Sequence, residues 1–78
     1  MPTILRWNGY RFYFFSNEGH EPPHVHIDKA GRSCKFWLTP VRMAQNRGHP
    51  EHEINEIRAK VAECETDFMG AWNGYFGH

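Results

Sequence analysis

Ile4-Leu5-Arg6-Trp7-Asn8-Gly9-Tyr10-Arg11-Phe12-Tyr13-Phe14-Phe15 consists of two strand-forming runs on either side of an Asn-Gly pair. Both central residues of a type I′ turn need positive φ, which asparagine and glycine tolerate, so the stretch reads as a β-hairpin. The turn sets the register: Trp7 falls opposite Tyr10, Arg6 opposite Arg11, Leu5 opposite Phe12 and Ile4 opposite Tyr13. Side chains alternate between the faces of a strand. One face therefore carries Leu5, Trp7, Tyr10, Phe12 and Phe14, and the other Ile4, Arg6, Arg11, Tyr13 and Phe15.

Downstream, Ser16 to Pro23 is a polar loop ending in a double proline that favours extended backbone up to His24. His24 to Ile27 reads as a short strand, Asp28 to Arg32 as a turn and Ser33 to Leu38 as the return strand. Centring the turn on Ala30-Gly31 places Ile27 opposite Cys34, His26 opposite Lys35, Val25 opposite Phe36 and His24 opposite Trp37. Thr39-Pro40 ends that strand, and Val41 to Gln45 alternates as a fifth strand would, with a helical turn as the alternative. Pro50 suits a first helical residue, and Ile54, Ile57, Val61, Cys64, Phe68, Ala71 or Trp72, and Tyr75 recur at helical spacing. Glu51, Glu53, Glu56, Glu63, Glu65 and Asp67 are expected on the helix's solvated face. The expected architecture is α+β: an antiparallel β-meander of four to five short strands within residues 3–45, packed on one C-terminal amphipathic helix over about residues 50–73. A single domain spanning residues 1–78 is expected.

Composition narrows the function classes. Nine Lys plus Arg balance nine Asp plus Glu, so bulk charge gives no reason to bind nucleic acid or membrane. The charges are nevertheless segregated, with seven basic and three acidic residues in 1–47 against two and six in 48–78. No apolar stretch approaches the roughly 20 residues that span a bilayer, and no leader pattern opens the chain, so a cytoplasmic protein with no membrane partner is expected. Cys34 and Cys64 form neither a metal-type pair nor a disulfide framework. A chain this short buries only somewhat over ~60% of its unfolded surface, so a homodimer or another partner would add stability.

A helix covers one face of a sheet, leaving Arg6, Arg11, Tyr13, Phe15, His24, His26, Lys35 and Trp37 on the open one. His24 and His26, two residues apart, have the chemistry of metal ligands, with His20 or an acid such as Glu18, Glu21 or Asp28 as a third. Lys35 beside His26, and Arg6 and Arg11 on the same surface, argue against a bound cation by Coulomb repulsion, so no metal and no cofactor are expected. The same neighbours favour an anion. Imidazoles exchange protons near neutrality and basic side chains stabilise phosphate charge. The catalytic candidates are accordingly His24, His26 and Lys35, with Arg6, Arg11, Tyr13 and Trp37 as ligand-binding residues for RNA or another phosphate-bearing ligand, and metal-independent phosphodiester cleavage as the reaction if the protein is an enzyme. Two alternatives stay open: a non-catalytic protein-interaction surface, and a metal-binding protein using His20, His24 and His26. The plain reading of the histidines is that they hydrogen-bond nearby loops, and that of Arg42, Arg47 and His49 is a solvated connector.

The N-terminal run from Met1 to Phe14, the Glu21-Pro22-Pro23-His24-Val25-His26 segment, Lys35-Phe36-Trp37-Leu38, Pro40-Val41-Arg42, Asn46-Arg47-Gly48 and Ala71-Trp72 together resemble a small bacterial family catalogued as domain of unknown function 4160. That family's genes resemble toxin-antitoxin modules in organisation, commonly lying beside a second small protein. The resemblance implies a small partner protein encoded by an adjacent gene and makes an RNA-directed role an expectation.

Overall fold

The computed structural model describes residues 2–77. Strands β1 (Thr3–Trp7), β2 (Tyr10–Tyr13), β3 (His24–Lys29), β4 (Arg32–Leu38) and β5 (Val41–Arg47) precede helices α1 (Glu51–Glu63) and α2 (Glu65–Phe76). The strands lie in one sheet in chain order, each antiparallel to the next. Asn8 (φ 53°) and Gly9 (φ 83°) make the first turn as their chemistry requires. The second turn repeats the conformation with Ala30 (φ 50°) and Gly31 (φ 81°), so an alanine there carries the left-handed strain that asparagine would relieve.

The register expected for β3 and β4 is observed at all four pairs from His24↔Trp37 to Ile27↔Cys34. In the first hairpin, Trp7↔Tyr10, Arg6↔Arg11 and Leu5↔Phe12 hold, but Tyr13 pairs with Thr3 rather than Ile4. A bulge between Thr3 and Leu5 absorbs the extra residue, and Ile4 packs against the core instead of joining the open face. The fifth strand is real and runs two residues beyond Gln45, to Arg47.

The helical stripe divides in two. Cys64 (φ −99°, ψ 11°) leaves the helical region, ending α1 and preceding α2, although its N–H still donates to the Lys60 carbonyl and its carbonyl accepts from Phe68 N–H. The expected single helix is therefore two consecutive helices with a one-residue break. The second half of the stripe closes with Trp72 and Phe76 on the core, while Tyr75 is exposed. Phe12, Phe14, Val25, Ile27, Phe36 and Leu38 from the sheet meet Ile54, Ile57, Val61, Phe68 and Trp72 from the helices in one buried cluster. Among the described residues, no helix is long and apolar enough to cross a membrane.

A charged clamp fixes the start of α1 to the second turn. Glu53, expected in solvent, is buried, and so is His49. The Arg32 guanidinium donates to both Glu53 carboxylate oxygens, at 3.1 and 2.8 Å, and His49 Nδ1 lies 2.9 Å from Oε1. The other ring nitrogen of His49 faces the Ile27 carbonyl at 3.2 Å. The His49 to Glu53 spacing of four residues was the available signal, since such pairs share a helix face. Hydrogen bonds from Arg32 and then His49 outweigh burial and hold the Glu53 carboxyl down at about 2, against an ordinary 4.5. Its stabilising effect is complete above the ordinary value and is lost as pH falls from there towards 2. Wild type should therefore exceed Glu53→Gln in stability at neutral pH, with the gap closing over that acid range in urea melts recorded against pH.

Candidate functional site

Directly opposed residues in an antiparallel sheet share a face, so the pairings lay out the open side row by row. One row runs Arg6, Arg11, Asp28, Ser33, Arg47. The next is Tyr13, His26, Lys35, Gln45, and the third His24, Trp37, Arg42. The sequence-derived site residues thus do fall on one side of the sheet, joined by Arg42 and Arg47, which had read as connector.

Sharing a face does not make them equally accessible. His24 is fully buried, not exposed as expected, because the loop before β3 and the end of α2 close over that corner. Its ring lies 5.0 Å from the Trp72 ring and 5.7 Å from that of Trp37. Tyr13 is buried too; its hydroxyl bonds to Asp28 at 3.1 Å, and burial, with Asp28 next, pushes the phenol up to about 12. Arg11 donates to Thr3 Oγ1 at 2.8 Å and lies over the Tyr13 ring. Arg6 is exposed, and Trp37 is half-buried under the Lys35 ammonium, 4.5 Å from its ring centre.

Lys35 is the second departure. Its Nζ is 2.6 Å from Glu21 Oε1, and that bond holds the Glu21 carboxyl below the usual range despite some opposing burial. The positive charge expected beside His26 is thereby largely compensated.

The loop also brings in Glu18. Its Oε1 lies 2.7 Å from His24 Nε2 and 2.7 Å from His26 Nε2. Burial raises the Glu18 carboxyl, but the bonds from His24 and His26 prevail and its pKa is lowered. For His26, burial prevails over the Glu18 hydrogen bond and lowers the pKa, favouring the neutral ring. His24 Nδ1 is 2.9 Å from the Pro22 carbonyl. A carbonyl only accepts, so Nδ1 carries a proton, and a neutral His24 aims a bare Nε2 lone pair at a carboxylate oxygen. A proton on Nε2, a proton on the carboxyl or a metal ion between the two groups would satisfy this short contact. Glu18, His24 and His26 offer ligand atoms all within 4.8 Å of one another. His20, grouped with the two histidines from sequence, is exposed and outside this cluster.

His26 and Glu18 open onto a cavity of about 250 Å³, also lined by Tyr13, Phe15, Lys35 and Arg47. Phe15 meets the His26 ring edge-on at 4.5 Å and Tyr13 stacks with it at 5.5 Å, the Tyr13 and Phe15 rings themselves being 5.3 Å apart. The imidazole is thus held by two aromatic rings. The chain matches the family described as domain of unknown function (DUF4160) over residues 9–73. It belongs to that family. None of the curated proteins or solved structures compared with the chain matches it. The matched span contains every residue of this DUF4160 cavity.

Removing His24 leaves a void against Trp72 and strips Glu18 of a bond, so His24→Ala should cost about 2–4 kcal/mol. His20→Ala should stay within about 0.5 kcal/mol of wild type. Urea denaturation of both variants at neutral pH measures the contrast.

Proposed function

We propose that the open sheet face binds a phosphate-bearing ligand, with RNA as the macromolecular class, and that it binds rather than cleaves. The observation carrying this reading is the row layout: Arg6, Arg11, Arg42 and Arg47 share the face that the helices leave uncovered, where Asp28 is the one strand acid, while Lys35 is paired with Glu21 from the loop. Such a basic surface follows a phosphate backbone through salt-dependent contacts, and the half-buried rings of Trp37 and Phe15 lie on the same side of the sheet. Binding is favoured over hydrolysis because the cleavage expected from the sequence would use His24 and His26 together as acid and base. His24 is sealed with both ring nitrogens engaged, leaving His26 alone on the cavity.

Fluorescence anisotropy with a labelled single-stranded oligoribonucleotide tests the reading. Arg47→Ala should weaken binding by about 1 kcal/mol, roughly fivefold, irrespective of sequence, and reduce the salt slope by about 0.7. The RNA should remain intact throughout. Absence of salt-dependent binding by wild type would overturn the proposal.

One observation favours a second reading. β5 is an edge strand, exposed from Arg42 to Arg47, and an open edge accepts a strand from a partner. A small protein encoded by an adjacent gene, docked there, should protect β5 amides from hydrogen exchange in the co-expressed complex. Unchanged exchange in β5 would exclude that geometry.

A further inference from the structure

We propose that Glu18, His24 and His26 form a binding site for a first-row divalent transition metal, with Zn²⁺ as the representative ion. Two imidazoles and one carboxylate are a ligand set that such ions accept. The inference is independent of the RNA-binding reading, since it rests on three side chains and is tested with metal alone.

Four features of the geometry point the same way. Both imidazoles turn the same ring nitrogen, Nε2, towards one carboxylate oxygen, at 2.7 Å in each case. Ligand atoms around a tetrahedral ion with bonds of roughly 2.1 Å stand about 3.4 Å apart, so each imidazole would draw back from the Glu18 oxygen by about 0.7 Å, while all three ligand atoms already lie within 4.8 Å of one another. Next, the Pro22 carbonyl holds the opposite nitrogen of His24, the outer hydrogen bond that usually orients a metal-bound histidine. Third, the Coulomb objection raised by Lys35 is weakened by Glu21, whose carboxylate pairs with it at 2.6 Å. Finally, His26 and Glu18 border the cavity, which provides an entry path and leaves coordination positions for water or an oxygen donor.

The His49 clamp is a histidine–carboxylate contact of a different make-up in the same chain. There one imidazole meets a carboxylate already bridged by a bidentate arginine, and its second nitrogen meets a backbone carbonyl. No second imidazole converges on that carboxylate among the described residues. At Glu18, by contrast, two imidazoles converge on one carboxylate oxygen.

Protein prepared without a polyhistidine tag and stripped with chelator should be titrated with Zn²⁺ by calorimetry and with Co²⁺ by visible absorption. The expected result is one equivalent per chain, a Co²⁺ spectrum showing mixed nitrogen and oxygen ligation, and a rise in Tm on adding Zn²⁺. Glu18→Gln and His26→Gln keep side-chain volume close to wild type and should each weaken binding at least about tenfold and abolish the Tm rise. His20→Ala should bind as wild type does. Lack of stoichiometric binding by folded wild type would overturn the proposal, leaving a proton between His24 and Glu18. Wild-type affinity in both Glu18→Gln and His26→Gln, or loss of binding in His20→Ala, would overturn it equally.

Discussion

The structure depends on the parity of strand pairing. A sheet has two faces and this chain has helices for one, so every strand residue is committed either to the core or to the open side by the register of its hairpin. Two tight turns with paired positive-φ residues, Asn8-Gly9 and Ala30-Gly31, fix that parity locally. A slip of one residue at Ala30-Gly31 would drive Lys35 and Trp37 into the core and expose Cys34, Phe36 and Leu38. The cost of that exchange, several buried apolar side chains at roughly 1.5–3 kcal/mol each, far exceeds what a turn alone contributes. Core and turn therefore agree, and this agreement is what places the basic residues together.

Features governed by local chemistry were legible from the sequence. The Asn-Gly turn, the alternation of β3 and β4 and the Ile54, Ile57, Val61, Phe68, Trp72 stripe each follow from spacings of a few residues, and each is observed. What escaped depended on chain segments that carry no period. Periodicity put His24 on the right side of the sheet but could not foresee its burial, because that depends on where the 16–23 loop and Trp72 come to rest. The pairing of Lys35 with Glu21 is of the same kind: the register correctly placed Lys35 beside His26, while the carboxylate that compensates it arrives from the loop. The strands carry the cation, and its counter-ion lies on a loop with no period to place it. Glu18 stood among several acids of equal merit until the loop's path singled it out. At Ile4, the bulge in β1 changes the facing of one residue without altering the hydrophobic pattern that announces the strand.

The helix break is a milder case. Spacings of three and four residues persist through Cys64, so the stripe gives no warning that the axis is interrupted there. Physically little is lost: the Lys60 to Cys64 and Cys64 to Phe68 hydrogen bonds survive, and Phe68 and Trp72 of α2 meet Phe12 and Phe14 of the sheet. Trp72, beyond the break, is the ring that lies against buried His24.

The loop between β2 and β3 therefore performs three linked tasks: Pro22 orients His24, Glu18 bridges the two imidazoles, and Glu21 compensates Lys35. Its own position is set from the far end of the chain. A Cβ at Gly19 would stand 2.5 Å from Cδ1 of Phe76, closer than carbon atoms tolerate, so only glycine lets the loop lie this near the last turn of α2. Phe76 in turn packs on Trp72, with ring centres 4.1 Å apart. The loop carrying Glu18 and the ring covering His24 thus rest on one aromatic pair. The end of α2 is consequently part of the site's framework although it contributes no ligand atom, and fraying of its final turn would loosen the carboxylate and expose the buried imidazole together.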